Sequence, residues 1–166
     1  MVEEIAASEE AKNGQETHVL HEYNKPCLVL DLDNTLICSF PVQPKIKTMP
    51  IRIGRNVVYI SPRPGVQKFI NSIKNSYELF IFTSSHQKYA KKVIDFIAPD
   101  IDEDHRFYRE SCIFVDGYRV KNLESINRPL SKVILVDDTK ASAKYQPLNL
   151  IGILSYDGNF EDNVLL

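Results

Sequence analysis

The chain has 166 residues, 43% of them hydrophobic, a net charge of −2 and a sequence pI near 6.1. That describes one domain of ordinary size with enough apolar mass for a core, and it excludes a nucleic-acid binder that relies on bulk positive charge. No apolar run approaches the roughly 20 residues of a membrane span.

Residues 1–24 are polar, lack periodicity and contain Asn13-Gly14, so they read as a disordered tail ahead of a domain spanning 25–166. The acidic start, Met1 to Ile5, has neither the apolar core of a secretory signal nor the character of a transit peptide. Cys27, Cys38 and Cys112 have no metal-ligand spacing and read as reduced packing residues of an intracellular protein. The four histidines form no cluster, so no zinc site is expected.

Cys27-Leu28-Val29-Leu30 predicts a buried strand that runs into Asp31-Leu32-Asp33-Asn34-Thr35. Alternate residues of a strand share a face, which puts Asp31 and Asp33 on one side. Two like charges beside a buried strand are costly unless a cation compensates them. Cys38 to Pro41, followed by Pro44 and Pro50, reads as a loop leading away from the sheet. Ile51 to Ile53 and Val57 to Ile60, joined through Gly54, Arg55 and Asn56, predict a β-hairpin inserted at about 45–61.

Pro62-Arg63-Pro64-Gly65 opens the first helix, with Val66, Phe69, Ile70 and Ile73 along one face. Tyr77 to Phe82 predicts the next strand, ending in Thr83-Ser84-Ser85, hydroxyls that suit either a helix cap or an anion. The second helix buries Tyr89, Ala90, Val93, Ile94 and Ile97, and turns Lys88, Lys91 and Lys92 to solvent. The acidic stretch 100–105 lacks calcium-loop spacing and reads as solvated. Arg106 to Phe114 predicts a strand, and Asp116-Gly117 a turn into Tyr118 to Lys121. A short helix over 122–126 precedes Val133-Ile134-Leu135-Val136-Asp137-Asp138, a second apolar run ending in paired carboxylates. A helix over 139–145 and a strand over 148–154 complete the chain.

This alternation predicts a Rossmann-like α/β domain, a parallel sheet with helices on both faces, a small hairpin insertion and no large cap. Ligands of such sheets sit beyond the carboxyl ends of the strands, where Asp31, Asp33, Thr83, Asp137 and Asp138 converge. A carboxylate nucleophile can attack phosphorus, provided Mg²⁺ and fixed positive groups offset the charge repulsion. Asp31, Asp138 and the main-chain carbonyl of Asp33 suit Mg²⁺, leaving the Asp33 side chain for acid and base work. Lys121 and Lys132 compete to neutralise the phosphoryl oxygens. Lys121 leaves a hairpin and can reach the carboxyl edge, whereas Lys132 precedes its strand at the amino edge. Arg109 suits either a phosphate or peptide contact or a structural ion pair.

Asp31-Leu32-Asp33-Asn34-Thr35 resembles the Asp-x-Asp-x-Thr signature of the haloacid dehalogenase superfamily. With Arg63-Pro64-Gly65, Phe82-Thr83-Ser84-Ser85, Tyr108-Arg109-Glu110-Ser111-Cys112 and Val136-Asp137-Asp138, it is similar to the RNA polymerase II C-terminal-domain phosphatases, above all their small branch, the NLI-interacting factor-like phosphatases. The resemblance implies Mg²⁺-dependent hydrolysis of protein phosphoserine or phosphothreonine, with the polymerase C-terminal domain as one possible partner. It makes Asp31 the nucleophile, Asp33 the acid/base, Thr83, Ser84 and Lys121 phosphate ligands, Asp138 a metal ligand, and Asp137 a metal partner through water. Arg109 would face the peptide. A monomer in the nucleus or cytoplasm, binding neither nucleic acid nor membrane, is the expectation. Asn34, Asn122 and Tyr156 depart from the residues usual in that family, which has Glu, Asp and Trp there. The stretch from Gln146 to Asp162 is also similar to a mitochondrial translocase subunit of the same fold, so a non-catalytic peptide-binding scaffold is the alternative.

Overall fold

The computed structural model describes residues 25–166, and the tail expected at 1–24 lies outside the described residues. A five-stranded parallel sheet has the order β10-β9-β1-β5-β6. Its strands are β1 (Cys27–Leu30), β5 (Glu78–Phe82), β6 (Arg106–Phe107), β9 (Val133–Asp137) and β10 (Leu150–Gly152). β1 lies in the middle, and Leu30 pairs with Ile81 on one side and Val136 on the other. Both faces of a central parallel strand must be covered, which is why β1 is apolar without interruption.

The period-two alternation then sorts the core. Leu28, Leu30, Leu79 and Ile81 pack with α1 (Val66–Ile73) and α2 (Gln87–Ile97). Val29, Phe80, Phe82 and Leu135 face the other way, onto Leu123, Ile126 and Ala143. Those three belong to short 3₁₀ segments, Leu123–Ile126 and Lys140–Ala143, so the helix read over 139–145 is a single tight turn. Its four residues are too few to build an amphipathic helical face.

Three further segments differ from the expectation. The residues after the Asp pair do not leave the sheet as a loop. Ile37–Phe40 forms β2, with Ile37 and Cys38 buried, and pairs with β4 (Asn56–Pro62), which pairs in turn with β3 (Met49–Ile53). The insertion is therefore a three-stranded antiparallel sheet beside α2, and it is no large cap. The strand read over 106–114 is broken after β6 by a 3₁₀ turn at Arg109–Ser111, because Arg109 donates both its amide and its Nε to the 84–85 backbone, at 3.0 and 2.6 Å. It resumes as the hairpin β7 (Ile113–Val115) and β8 (Tyr118–Val120), whose turn residues Asp116 and Gly117 take φ of 50° and 84°. The last strand is shorter than read, since Pro147–Asn149 form a 3₁₀ turn and leave Leu148 fully exposed.

The C-terminal segment braces the turn that follows β1. Arg63 is 1% exposed and donates to both Asp162 oxygens, at 2.8 and 2.7 Å, and to the carbonyls of Thr35 and Leu154. Its guanidinium lies 5.4 Å from the centre of the Tyr156 ring. Gly65, at φ 80°, leads into α1, and an added Cβ there would come within 2.5 Å of the Leu166 side chain. The Arg63-Pro64-Gly65 motif thus seats the chain's end beside the turn that follows β1.

Removing one partner of a buried ion pair strands the other charge. Asp162→Asn is expected to cost about 3 kcal/mol and lower Tm by about 10 °C at pH 7 in calorimetry. Arg63 holds the Asp162 carboxyl below its usual range. The deficit relative to wild type should therefore be full above the ordinary carboxylate value and shrink as pH falls through the depressed folded value.

Candidate active site

The carboxyl edge of β1, β5 and β9 gathers most of the residues singled out from the sequence. Asp31 directly follows β1 and its amide donates to the Val136 carbonyl at 3.0 Å, which fixes it beside the end of β9. Asp137 is the last residue of β9, and Thr83 directly follows β5. Asp31, Thr83 and Asp137 are buried, and Asp138 is half-buried.

Lys121 enters this edge from the exit of β8, as the hairpin reading required. Its amide donates to the Ser142 carbonyl at 2.8 Å, and Val120 before it is fully buried. Its Nζ, on a side chain only 1% exposed, donates to Asp31 Oδ1 at 2.5 Å and Asp137 Oδ2 at 2.6 Å. Lys132 instead ends a 3₁₀ turn at the opposite, amino end of β9. Burial alone would drive the Lys121 proton off, but the two carboxylates reverse that and raise its pKa above the ordinary value. Burial pushes the Asp31 carboxyl up to about 7 and the Asp137 charge adds to this, against the pull of Lys121. One ammonium shared between two carboxylates cannot fully satisfy both.

Asp31, Asp137 and Asp138 each offer a carboxylate oxygen within 4.8 Å of the others. Three carboxylates against one ammonium leave two negative charges, which one divalent cation would balance. An all-oxygen donor set of this kind suits Mg²⁺, so the residues present fit the ion. Asp137 is the most constrained of the three. Its Oδ2 accepts from Lys121 and its Oδ1 from the Thr139 amide at 2.8 Å. The Asp138 amide donates to Thr35 Oγ1, tying this loop to the Asp31 turn.

Asp33 is held apart from that group. The turn after it places Asn34 at φ 62°, a left-handed conformation that Asn tolerates, and Asn34 exchanges hydrogen bonds with the Tyr156 backbone at 3.0 and 2.6 Å. Asp33 Oδ2 accepts from Ser85 Oγ at 2.7 Å, and Oδ1 accepts from Tyr89 OH at 2.6 Å. Burial and the Asp33 charge keep the proton on Tyr89, whose pKa is raised far above the ordinary phenol value. The sequence reading gives Ser85 a place in a hydroxyl run that suits a cap or an anion and Tyr89 a place in the core, and neither a contact with Asp33. Tyr89 falls at the core spacing of α2, and the only local signal for Ser85 is its place in the Thr83-Ser84-Ser85 run.

The hydroxyl run is not the cap of α2. His86 occupies that position without a side-chain cap bond, and Thr83 Oγ1 accepts from the Ser85 amide at 3.0 Å. Ser84 is half-buried, and its carbonyl accepts from Arg109 Nε. Arg109 Nη1 lies 2.8 Å from His86 Nε2, and His86 Nδ1 lies 3.2 Å from Glu110 Oε1. Arg109 is thereby held near the hydroxyl run by backbone and imidazole, in place of the carboxylate partner that a structural ion pair would use.

The family model for NLI interacting factor-like phosphatases matches residues 26–166. The chain is 36% identical over 146 residues to phosphatase PSR1 of Saccharomyces cerevisiae, covering 86% of this chain and 34% of that protein. It is 36% identical over 149 residues to the CTD small phosphatase-like protein of Homo sapiens, covering 87% of this chain and 54% of that one. The chain thus spans about a third to a half of the length of these relatives. Among solved structures, Fcp1, described as an essential RNA polymerase II CTD phosphatase, matches with a TM-score of 0.68 at 24% identity, over 86% of this chain and 45% of its own. That match establishes the shared fold. Among the described residues no helix is long and apolar enough to cross a membrane. The chain belongs to the NLI interacting factor-like phosphatase family.

Proposed function

We propose that this chain is a Mg²⁺-dependent phosphatase of protein phosphoserine and phosphothreonine that works through an aspartyl phosphate on Asp31, with the phosphorylated polymerase C-terminal domain as a candidate substrate. The observation that carries this reading is the buried Lys121 ammonium held between Asp31 and Asp137, at the carboxyl edge where Thr83 also lies. The relatives' names point to the same class of reaction.

In this reading an Asp31 oxygen attacks phosphorus, the bond to the serine or threonine oxygen breaks, and that oxygen takes a proton from Asp33. A water then attacks the aspartyl phosphate and gives its proton to Asp33, releasing inorganic phosphate and restoring the Asp31 carboxylate. Lys121, Thr83 and Ser84 would bind the transferring oxygens, and Arg109 the flanking peptide. Mg²⁺, held by Asp31, Asp138, the Asp33 carbonyl and, through water, Asp137, would supply positive charge against the incoming phosphate. The translocase-like scaffold is the weaker reading, because it gives no role to a lysine buried against two carboxylates.

Turnover of a phosphoserine peptide and of para-nitrophenyl phosphate, with and without Mg²⁺, tests the proposal. Asp31→Asn should abolish a Mg²⁺-dependent activity; a folded, Mg²⁺-supplied wild type that turns over neither substrate would overturn the phosphatase reading. Metal binding requires ionised ligands. Since burial raises Asp31 to about 7, Mg²⁺ affinity measured by calorimetry should rise as pH climbs from about 6 to 8 and level off above that.

A further inference from the structure

We infer that Tyr89 and Ser85 are positioning residues that aim the Asp33 carboxyl at the leaving oxygen, and so fit this site to alkyl phosphate esters, whose departing alkoxide needs a proton. The inference rests on the phosphatase reading above. Asp33 lies past the end of β1 in a turn, half-buried, where an unsupported carboxylate could adopt several rotamers. Two hydrogen bonds, at 2.6 and 2.7 Å, remove that freedom, one on each oxygen.

The supports come from rigid elements. Tyr89 lies in the first turn of α2, next to Ala90, which is fully buried, and its amide and that of Ala90 both donate to the His86 carbonyl. Ser85 is fixed by its own amide, which donates to Thr83 Oγ1, and by its carbonyl, which accepts from the Arg109 amide at 3.0 Å. One short turn therefore sets Thr83 against the phosphoryl group and Asp33 against the leaving oxygen. A site of this precision needs supporting groups that are themselves locked.

The chemical type of the two supports matters as much as their distances. Asp31 is paired with an ammonium. Asp33 is held by two neutral hydroxyls. A carboxyl oxygen can accept one hydrogen bond and still carry a proton on its remaining lone pair. The clamp can thus persist as Asp33 loses its proton to the departing serine oxygen and regains one from the attacking water, while Tyr89 continues to donate to Oδ1.

A positioning role differs from a structural one in its dependence on the leaving group. An alkoxide leaves poorly and relies on the acid, whereas para-nitrophenolate leaves with little protonation. For Tyr89→Phe in Mg²⁺, kcat/KM on a phosphoserine peptide should fall by about 10- to 100-fold, and on para-nitrophenyl phosphate by less than about threefold. Ser85→Ala should show the same selective loss, Ser85→Thr should recover most of it, and the wild-type Tm should be kept within a few degrees. Equal losses on both substrates, or an unchanged rate on the phosphopeptide, would overturn the inference and leave the phosphatase reading intact. A wild type inactive on both substrates would overturn both.

Discussion

Burying an ammonium is tolerable only where anionic partners and good geometry replace its water. In this protein that constraint falls on Lys121, and much of the fold meets it. Parallel pairing of β1 with β9, in a register that opposes Leu30 and Val136, brings Asp31 and Asp137 side by side at one edge. The β7–β8 hairpin delivers Lys121 between them, pinned by a backbone bond to Ser142. The pairing is left incomplete, since one ammonium serves two carboxylates and Asp138 adds a third beside them, a surplus of negative charge that a divalent cation would offset.

The other carboxylate answers to a different part of the chain. Asp33 is set by a left-handed Asn34 and by side chains from the β5–α2 turn and from α2. Behind that turn, Arg63 joins Thr35, Leu154 and Asp162, and Tyr156 hydrogen-bonds to the Asn34 backbone and, through its hydroxyl, to Ser61 at 3.0 Å. Stability and chemistry are therefore coupled through residues far from the reacting atoms. Loosening the C-terminal brace would disturb Asp33 before it disturbed Lys121, which hangs from a separate hairpin.

What could be read from the sequence follows from the range of the interactions involved. An apolar run that ends in carboxylates is a local pattern, so β1, β9 and their aspartates were legible, as was the hairpin exit that carries Lys121. The small β2 strand was not, because its four residues follow the turn after Asp33 and precede three prolines. Tyr89 falls at core spacing, and no periodicity reveals that its hydroxyl reaches a residue 56 positions away. The Arg63–Asp162 pair spans 99 positions, beyond any local signal. The 3₁₀ turns covering the second face of the sheet are too short for a helical period to register.

The central claim is that Asp31 becomes covalently phosphorylated. Enzyme quenched in acid during turnover of a phosphopeptide, reduced with borohydride and mapped by peptide mass spectrometry tests it most directly, because an acyl phosphate is reduced to an alcohol whereas a free carboxylate is not. The account predicts that the reduced position is Asp31 and that it appears only with substrate and Mg²⁺. Sustained turnover with an unmodified Asp31, or with the modification at another residue, would contradict it.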